Sequence, residues 1–274
     1  MNFFQKYHHI LKYVYAVLFG IIGGLLVYKT ELLGPVAIMA LPVVIIFFFY
    51  FIKEPKIGIY TAFISMFWVA TVGRYVPINI PMGLATDIFL VLTFVALLFR
   101  DWKKIDLSGW NHIFSLLMIN WMLLVILEIA NPLALSIEAW FYAMRGLALY
   151  QMLVAILCFS LFRDRKDFVR FIKIWVIFSM IGALWGIKQK FFGVDSFEAA
   201  WLAKGAYKQH LLFGKLRVFS YYTDAGIFGP AMGQLTIFFG ILFLGPFSWK
   251  KRLIFIGISL VSFYCMIISG TRGA

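Results

Sequence analysis

The chain alternates between long apolar blocks and short stretches that carry most of its charged residues. A helix needs roughly 20 apolar residues to cross the hydrocarbon of a bilayer, whereas a barrel strand would alternate apolar and polar positions. The blocks here are continuous, so the pattern predicts about nine transmembrane helices. They lie at residues 11–28, 33–52, 57–73, 83–99, 113–130, 146–162, 168–187, 226–245 and 252–270.

Composition agrees with this pattern. Of the 274 residues, 63% are hydrophobic and 14% are charged, whereas about a quarter of a soluble domain is charged. We therefore predict an all-α fold, a polytopic integral membrane helical bundle that forms one membrane domain over residues 1–274. The first block follows the basic start MNFFQKYHHILK without a small-x-small cleavage site, so we interpret it as a retained span.

The distribution of Lys and Arg predicts the orientation. With the N-terminus in the cytoplasm, 15 of the 25 basic residues fall in inner segments, as cytoplasmic loops require. The short outer loops carry few basic residues. This orientation predicts that the last residues, SGTRGA, lie at the outer surface.

The net charge of +13 narrows the class of partner. In a membrane chain such an excess indicates topology signals, anionic lipid headgroups or an anionic substrate, so we expect membrane lipids and no nucleic acid as partners. The two cysteines, Cys158 and Cys265, fall inside predicted spans, where a thiol behaves as a small apolar group. No metal-ligand spacing or cofactor motif is visible, and we expect neither a metal nor a cofactor.

One connection stands out by its length. Residues 188–225 form a predicted outer loop, and a loop this long usually carries function. Within it, Asp195 and Glu198 have the spacing of a capping box, which predicts a short interfacial helix anchored by Trp201. His210 also lies here, and we expect it to be a solvated loop histidine.

Ionisable groups at membrane depth are costly and usually face a cavity or a partner. The simplest explanation for Arg74 and Arg145 is that each extends its cation to the lipid headgroups, with Asp87 and Glu128 as salt-bridge partners. The predicted outer half contains seven such residues: Arg74, Asp87, Glu128, Arg145, Arg217, Asp224 and Arg272.

Two segments indicate more than contact with lipid headgroups or internal salt bridges. In KLRVFSYYTDAGIFGPAMGQ, residues 215–234, Arg217 precedes an aromatic run and a glycine-rich helix start. Glycine and proline favour a kinked or loosely wound helix there, and a helix start offers its positive dipole end to an anion. In SGTRGA, Gly270 and Gly273 leave space around Arg272, whose planar guanidinium suits bidentate contact with phosphate oxygens.

These two segments resemble those of the O-antigen ligase family and its O-antigen polymerase relatives, membrane glycosyltransferases of bacterial envelopes. SGTRGA is similar to that family's Thr or Ser, Ser, Arg, Gly, Ala signature at the outer end of a span. Arg217 with the stretch from Phe219 to Gly229 resembles its arginine, turn and helix element. Many spans with one long outer loop are also typical of the family.

The resemblance implies a glycan donor on undecaprenyl diphosphate and an acceptor that is either the lipid A core or a growing polysaccharide. Transfer would occur at the periplasmic face of the bacterial inner membrane, without a metal. Arg217 and Arg272 would bind the diphosphate, and we expect Arg145 and Arg74 to assist. Asp224 is the local candidate for the catalytic base, although an N-terminal cap of the following helix explains it as well.

Two alternatives stay open. Family members continue past the signature into further spans and a large outer loop with a histidine, whereas this chain ends at Ala274. We therefore expect either a fragment or a form without that part and without the activity. The same arginines would also suit a non-enzymatic transporter or channel for an anion or a lipid-linked saccharide. The concentration of charges at one end of the spans favours a one-sided site over a conduit.

Overall fold

The structure is a computed structural model. It describes residues 13–14, 17, 20–21, 23–24, 33–75, 83–101, 112–133, 136–212 and 214–271. Residues 13–24 are helical at each described position, and most of the first predicted span lies outside the described residues. By its internal contacts the chain divides into two units, Met1–Glu54 and Pro55–Ala274.

The first unit contains helix α1, Leu33–Lys53, which keeps Pro42 inside it. The helices of the second unit are α2 (Lys56–Tyr75), α3 (Gly83–Asp101), α4 (Ile113–Leu127, extended by a 3₁₀ turn, Glu128–Ala130), α5 (Ile137–Leu161), α6 (Arg165–Phe192), α7 (Ser196–Trp201), α8 (Tyr207–His210), α9 (Ala225–Leu244) and α10 (Trp249–Ile268). Strands β1 (Leu211–Leu212) and β2 (Lys215–Leu216) form a two-residue antiparallel hairpin.

Six of these helices, α2, α4 with its 3₁₀ turn, α5, α6, α9 and α10, are long and apolar enough to cross a membrane. Two shorter apolar helical stretches are Met39–Lys53 and Leu84–Phe99. Large apolar side chains along the spans are exposed, for example Leu184 and Leu244, as expected of helices that face lipid. The chain is thus an all-α, multi-pass membrane protein, as its hydrophobic pattern predicts.

Two predicted boundaries are wrong for related reasons. Helix α5 begins at Ile137 rather than residue 146, because Glu138 and Arg145 interrupt the apolar pattern without interrupting the helix. It accommodates Arg145 through a π-helical turn, Arg145–Leu149. Helix α6 runs beyond its apolar block at both ends, so the loop predicted from residue 188 starts only after Phe192.

Two buried clusters organise the second unit. One joins α6, α9 and α10 around Ala183, Phe228, Met232 and Cys265. The other joins α2, α3 and α5 around residues that include Leu90. Contacts between α2 and α6 connect the two groups, so the ends of α2, α6, α9 and α10 meet beside the connection between α6 and α9.

Candidate functional site

We call residues 193–224, between α6 and α9, the long connection. Gly193 ends α6 with a positive φ of 81°, a conformation that glycine adopts without a steric penalty. Asp195 then caps α7: its Oδ1 accepts from the Glu198 backbone N–H at 2.9 Å, and Glu198 Oε2 accepts from the Asp195 N–H at 3.0 Å. The predicted capping box and short helix are both confirmed.

Glu198 fixes the long connection to the end of α6. Its side chain is only 1% exposed, and a buried carboxylate is costly unless it is paired. Glu198 Oε1 accepts from Trp185 Nε1 at 2.9 Å and from Gln189 Nε2 at 2.6 Å, and Lys188 Nζ lies 3.6 Å from Oε2. One carboxylate therefore both caps α7 and joins it to α6.

Ser220 lies in a turn of the long connection. It is fully buried and has φ of 55°, the left-handed region that non-glycine residues seldom adopt. Its N–H donates to Gln189 Oε1 at 2.8 Å, and its hydroxyl donates to the Gly182 carbonyl at 2.6 Å. A strained backbone persists only where the surroundings determine it this fully.

Arg74, at the end of α2, also binds the backbone of this turn. Its Nη1 donates to the Ser220 carbonyl at 2.8 Å, and its Nη2 donates to the carbonyls of Tyr222 and, at 3.2 Å, Thr223. The guanidinium also lies 4.5 Å from the ring centroid of Trp201, a cation–π contact. In this arrangement, both Nη atoms of Arg74 donate to protein carbonyls.

Arg217 meets the segment that ends α10. Its Nη2 donates to Thr271 Oγ1 at 3.1 Å, and that hydroxyl donates to the Ala225 carbonyl at 2.7 Å. Gly270, at φ of 63°, turns the chain there, and a Cβ built on it would lie 3.7 Å from Arg217 Cγ. The two segments that carry the family resemblance are therefore in direct contact. Arg272 itself lies outside the described residues.

Arg217 retains an unused donor. Its Nε is buried and has no hydrogen-bond partner among the described residues, although the residue as a whole is only partly buried. A guanidinium N–H is a strong donor that is costly to leave unpaired. The described part of the protein therefore leaves this donor unpaired.

Asp224 is the N-terminal cap of α9. Its Oδ1 accepts from the Ile227 backbone N–H at 3.0 Å, so the capping explanation is confirmed. The α-helix is then continuous from Ala225 through Pro230 to Leu244, so the expected loosely wound start is not found. Gly229 is instead required for close packing, because a Cβ there would lie 2.5 Å from Ser269 Oγ.

His210 is not solvated, and that prediction is wrong. It is 1% exposed, with its ring 5.1 Å from that of Trp201 and 4.7 Å from that of Phe219 between centroids. Its carbonyl accepts from the Arg217 N–H at 2.8 Å. Burial lowers the pKa of His210, and the nearby charges of Arg74 and Arg217 lower it further. Its Nδ1 has no partner among the described residues.

Arg145 belongs to a different cluster. It forms a salt bridge with Asp87 on α3, as the sequence suggested, and its Nη2 also donates to Tyr150 Oη at 3.0 Å. In the described part of the chain, its ion-pair and hydrogen-bond partners lie on α3 and α5 and not in the long connection. Glu128, the other expected ion-pair partner, accepts instead from Asn131 Nδ2 at 2.8 Å.

Sequence reasoning missed Gln189, Ser220 and Thr271. Nothing local distinguishes them, since Ser220 and Thr271 are common small polar residues and Gln189 was placed in the predicted loop. Their partners lie far away along the chain, as with Arg217 and Thr271, which are separated by 54 positions. The family resemblance of the Arg217 segment and SGTRGA was the one usable signal.

The arrangement brings cationic groups to the start of α9. Arg217 and the buried Arg74 act together with the positive end of the α9 dipole, and Glu198 and Asp224 are nearby acidic groups that interact with this cluster. Among the described residues there is no group of three or more His, Cys, Asp or Glu side chains that could hold a metal ion. The geometry suits an anion, contacted by Arg217.

Comparisons with protein-family models, with curated proteins and with solved structures found no match.

Proposed function

We propose that this protein is an O-antigen ligase-like or polymerase-like glycosyltransferase. In this proposal it transfers a glycan from an undecaprenyl-diphosphate-linked donor to a lipid A core or a growing polysaccharide. The contact between Arg217 and Thr271 supports the proposal most, because it joins the two segments on which the family resemblance rests. Arg272 follows Thr271 directly in the sequence, and we assign it as the second diphosphate ligand.

The chemistry needs fixed positive charge. Breaking the bond between a sugar and a diphosphate places negative charge on the leaving group, and preorganised donors in a dry site stabilise that charge strongly. Arg217 is held by Thr271 and by its own backbone bond to His210, while its buried Nε is not paired with any described residue. In this proposal guanidinium groups supply the charge that a metal ion supplies in other transferases.

Arg74 has a different role in this proposal. Its Nη donors already hold the turn at Ser220, so it acts as a positioning residue for Arg217 and Asp224. Its charge adds to the field felt by a bound anion without direct contact. Arg145, neutralised by Asp87, takes no part in binding.

Asp224 is the proposed base for the acceptor hydroxyl. A general base must lie within about 3 Å of the proton it removes, and Asp224 lies at the start of α9 beside Ala225, whose carbonyl binds Thr271. Its Oδ1 is engaged in the cap. We therefore assign proton removal to the other carboxylate oxygen of Asp224, Oδ2.

We further propose nine spans, a cytoplasmic N-terminus and a site that faces the periplasm from the inner membrane. The long connection, the start of α9 and the end of α10 then lie together at the outer surface. The bias of basic residues toward the opposite ends of the helices supports this orientation.

The test is transfer by the Arg217→Lys variant. Lysine keeps the charge but lacks the planar fork, and losing one such donor typically lowers the rate about 10²- to 10³-fold. The protein would be reconstituted in liposomes with an undecaprenyl-diphosphate-linked donor and either acceptor. Arg163→Lys, the same substitution at an exposed arginine, is the matched control and should transfer normally.

Full transfer by Arg217→Lys would contradict the proposed site. If the unaltered protein moves the donor across the vesicle membrane without transferring its glycan, the transporter alternative replaces the enzyme.

A further inference from the structure

Helix α6 is longer than a bilayer requires. Its 28 residues span about 42 Å at 1.5 Å per residue, whereas the hydrocarbon core is about 30 Å thick. Its C-terminal end is fixed to the long connection through Trp185 and Gln189. The first turns of α6 are at the opposite end of the helix, and they reach the depth of the lipid headgroups.

Those first turns carry a dense group of cations. Arg165, Lys166, Arg170 and Lys173 are all exposed. Residues 166, 170 and 173 lie at helical spacings of four and three, so these side chains share one face. Together with Val169, the four residues line an open cavity of about 530 Å³. We call this group the α6 basic cluster.

The nearby carboxylates leave most of this charge uncompensated. Asp167 is 5% exposed and lies 2.6 Å from Lys56 Nζ. It also reaches Arg170 Nη1 at 3.9 Å. Asp164, at the helix N-cap, forms no side-chain capping bond and contributes one further acidic group. Among the described residues, Arg165, Lys166 and Lys173 have no carboxylate within salt-bridge distance.

Exposed apolar side chains lie on the same face as the cations. Val169 lines the cavity and is 41% exposed, and Ile177, four positions after Lys173, is 57% exposed, which is unfavourable in water and favourable against acyl chains. A soluble anion or a nucleic acid would use the cations and leave these apolar groups unused. A lipid with an anionic headgroup uses both.

We propose that the α6 basic cluster is a binding site for the phosphate headgroup of an anionic phospholipid. The headgroup phosphate occupies the cavity between the arginine and lysine side chains, and the acyl chains lie along Val169 and Ile177. The positive end of the α6 dipole adds to the attraction. This site is separate from the proposed glycan site and does not depend on that function.

The experiment compares two pairs of lysines at the same end of the molecule. Helix α9 runs antiparallel to α6, because its start meets the end of α6 at Gly186 and its end meets Trp175 near the start of α6. It also runs antiparallel to α10, because Gly229 meets Ser269 and Phe243 meets Arg252. Helix α10 is therefore parallel to α6, and Lys250 and Lys251 at its start lie at the same membrane surface. Both are exposed. The variant Lys166→Gln/Lys173→Gln and the control Lys250→Gln/Lys251→Gln therefore remove equal charge from one surface.

Native mass spectrometry of the detergent-solubilised chain would measure the affinity for phosphatidylglycerol, with phosphatidylcholine as the neutral probe. Each basic residue near an anionic lipid surface contributes about fivefold in affinity. We expect Lys166→Gln/Lys173→Gln to weaken phosphatidylglycerol binding about 30-fold and the control pair to weaken it less than about threefold. Lys166→Arg/Lys173→Arg keeps the charge and should bind like the unaltered chain.

Three results would overturn the proposal. Equal weakening by both lysine pairs means general surface attraction, and no weakening by Lys166→Gln/Lys173→Gln means that the lipid binds elsewhere. Retention of inorganic phosphate or an RNA oligonucleotide in lipid-free protein, with the same dependence on Lys166 and Lys173, makes a soluble anion the occupant.

Discussion

Arg74 and Ser220 depend on each other. The turn places Ser220 in a strained conformation, and Arg74 holds that turn by binding three of its carbonyls. The guanidinium, in turn, is buried between Trp201 and Phe219 and depends on those carbonyls for its hydrogen bonds. A buried cation needs such partners to be stable, so the end of α2 and the long connection form as one structure.

Protonation of His210 should destabilise this structure. Burial, and then the charges of Arg74 and Arg217, lower the pKa of His210, while Asp224 opposes the shift. The folded protein therefore binds this proton more weakly than the unfolded chain, in which the pKa is about 6.5. The associated stability is present above about pH 6.5 and is lost as the pH falls through that value.

We expect the melting temperature of the unaltered protein to fall between pH 7.5 and pH 5.5, and that of His210→Asn to fall less. Thermal unfolding in detergent, followed by circular dichroism, measures both. His112→Asn is the control, because His112 is exposed and caps α4, a role that asparagine also performs. Equal pH dependence in His210→Asn and the unaltered protein would show that another group is responsible.

For individual residues, the sequence predicted interactions between residues that are close along the chain. The capping box of Asp195 and Glu198 and the cap at Asp224 were predictable because each bond spans three residues. The partners of Arg74 were not, because they lie 146 to 149 positions away. The burial of His210 depends on Trp201 and Phe219, each nine positions away in the sequence, and could not be predicted from the polar residues around it.

Helices pack closely where glycine removes the side chain between them. Gly229 on α9 faces Ser269 and Thr271 beyond the end of α10, and Gly186 on α6 faces Phe228. A Cβ at Gly186 would lie 2.7 Å from the Phe228 ring. These contacts bring α6, α9 and α10 together at the candidate site, so the glycines determine its geometry as much as its charged residues do.

The variant Gly229→Ala should separate the end of α10 from α9. The added methyl group would lie 2.5 Å from Ser269 Oγ and 3.0 Å from Thr271 Oγ1, and overpacking of this kind costs about 1–3 kcal/mol. We expect a lower melting temperature and weaker contact between Arg217 and Thr271. Thermal unfolding measures the first effect, and donor binding measures the second.

The control for this prediction is Gly257→Ala in α10. Among the described residues, no atom beyond the helix's own backbone and the two neighbouring residues lies within 4 Å of a Cβ built there, and alanine favours a helix over glycine by about 1 kcal/mol. This variant should be as stable as the unaltered protein or slightly more so. If Gly229→Ala behaves in the same way, the close packing of α9 and α10 is not required.

The positions of these helices were predictable because each coincides with a long apolar block of the sequence. The predicted span 33–52 corresponds to Leu33–Lys53, and 226–245 corresponds to Ala225–Leu244. The predicted helix boundaries were wrong where a charged residue lies inside a helix. Arg145 lies inside α5 because a π turn and Asp87 accommodate it, and neither the turn nor the partner follows from hydropathy.

At the scale of the whole molecule, the two ends of the helices carry different clusters of basic residues. The cluster of Arg217, Arg74 and His210 lies where α2 and α6 end and α9 begins. The α6 basic cluster, Lys56 and Lys250 lie at the opposite end. At the first end Arg217 and Arg74 form hydrogen bonds and ring contacts, although Lys204, Lys208 and Lys215 there are exposed. At the second end the α6 basic cluster is exposed. The hydrogen-bonded arginines agree with a site at one surface, and the exposed cluster agrees with lipid contact at the other.

The proposed orientation leads to a labelling experiment. We expect Lys204→Cys, in the long connection, to react with a membrane-impermeant maleimide added to spheroplasts, because this exposed residue lies on the periplasmic side in the proposal. Lys250→Cys should react only after the membrane is permeabilised. The native thiols give little background, since Cys158 and Cys265 lie within spans and Cys265 is fully buried. Labelling of Lys250→Cys in intact spheroplasts, with Lys204→Cys protected, would invert the orientation and place the candidate site in the cytoplasm, where a periplasmic acceptor could not reach it.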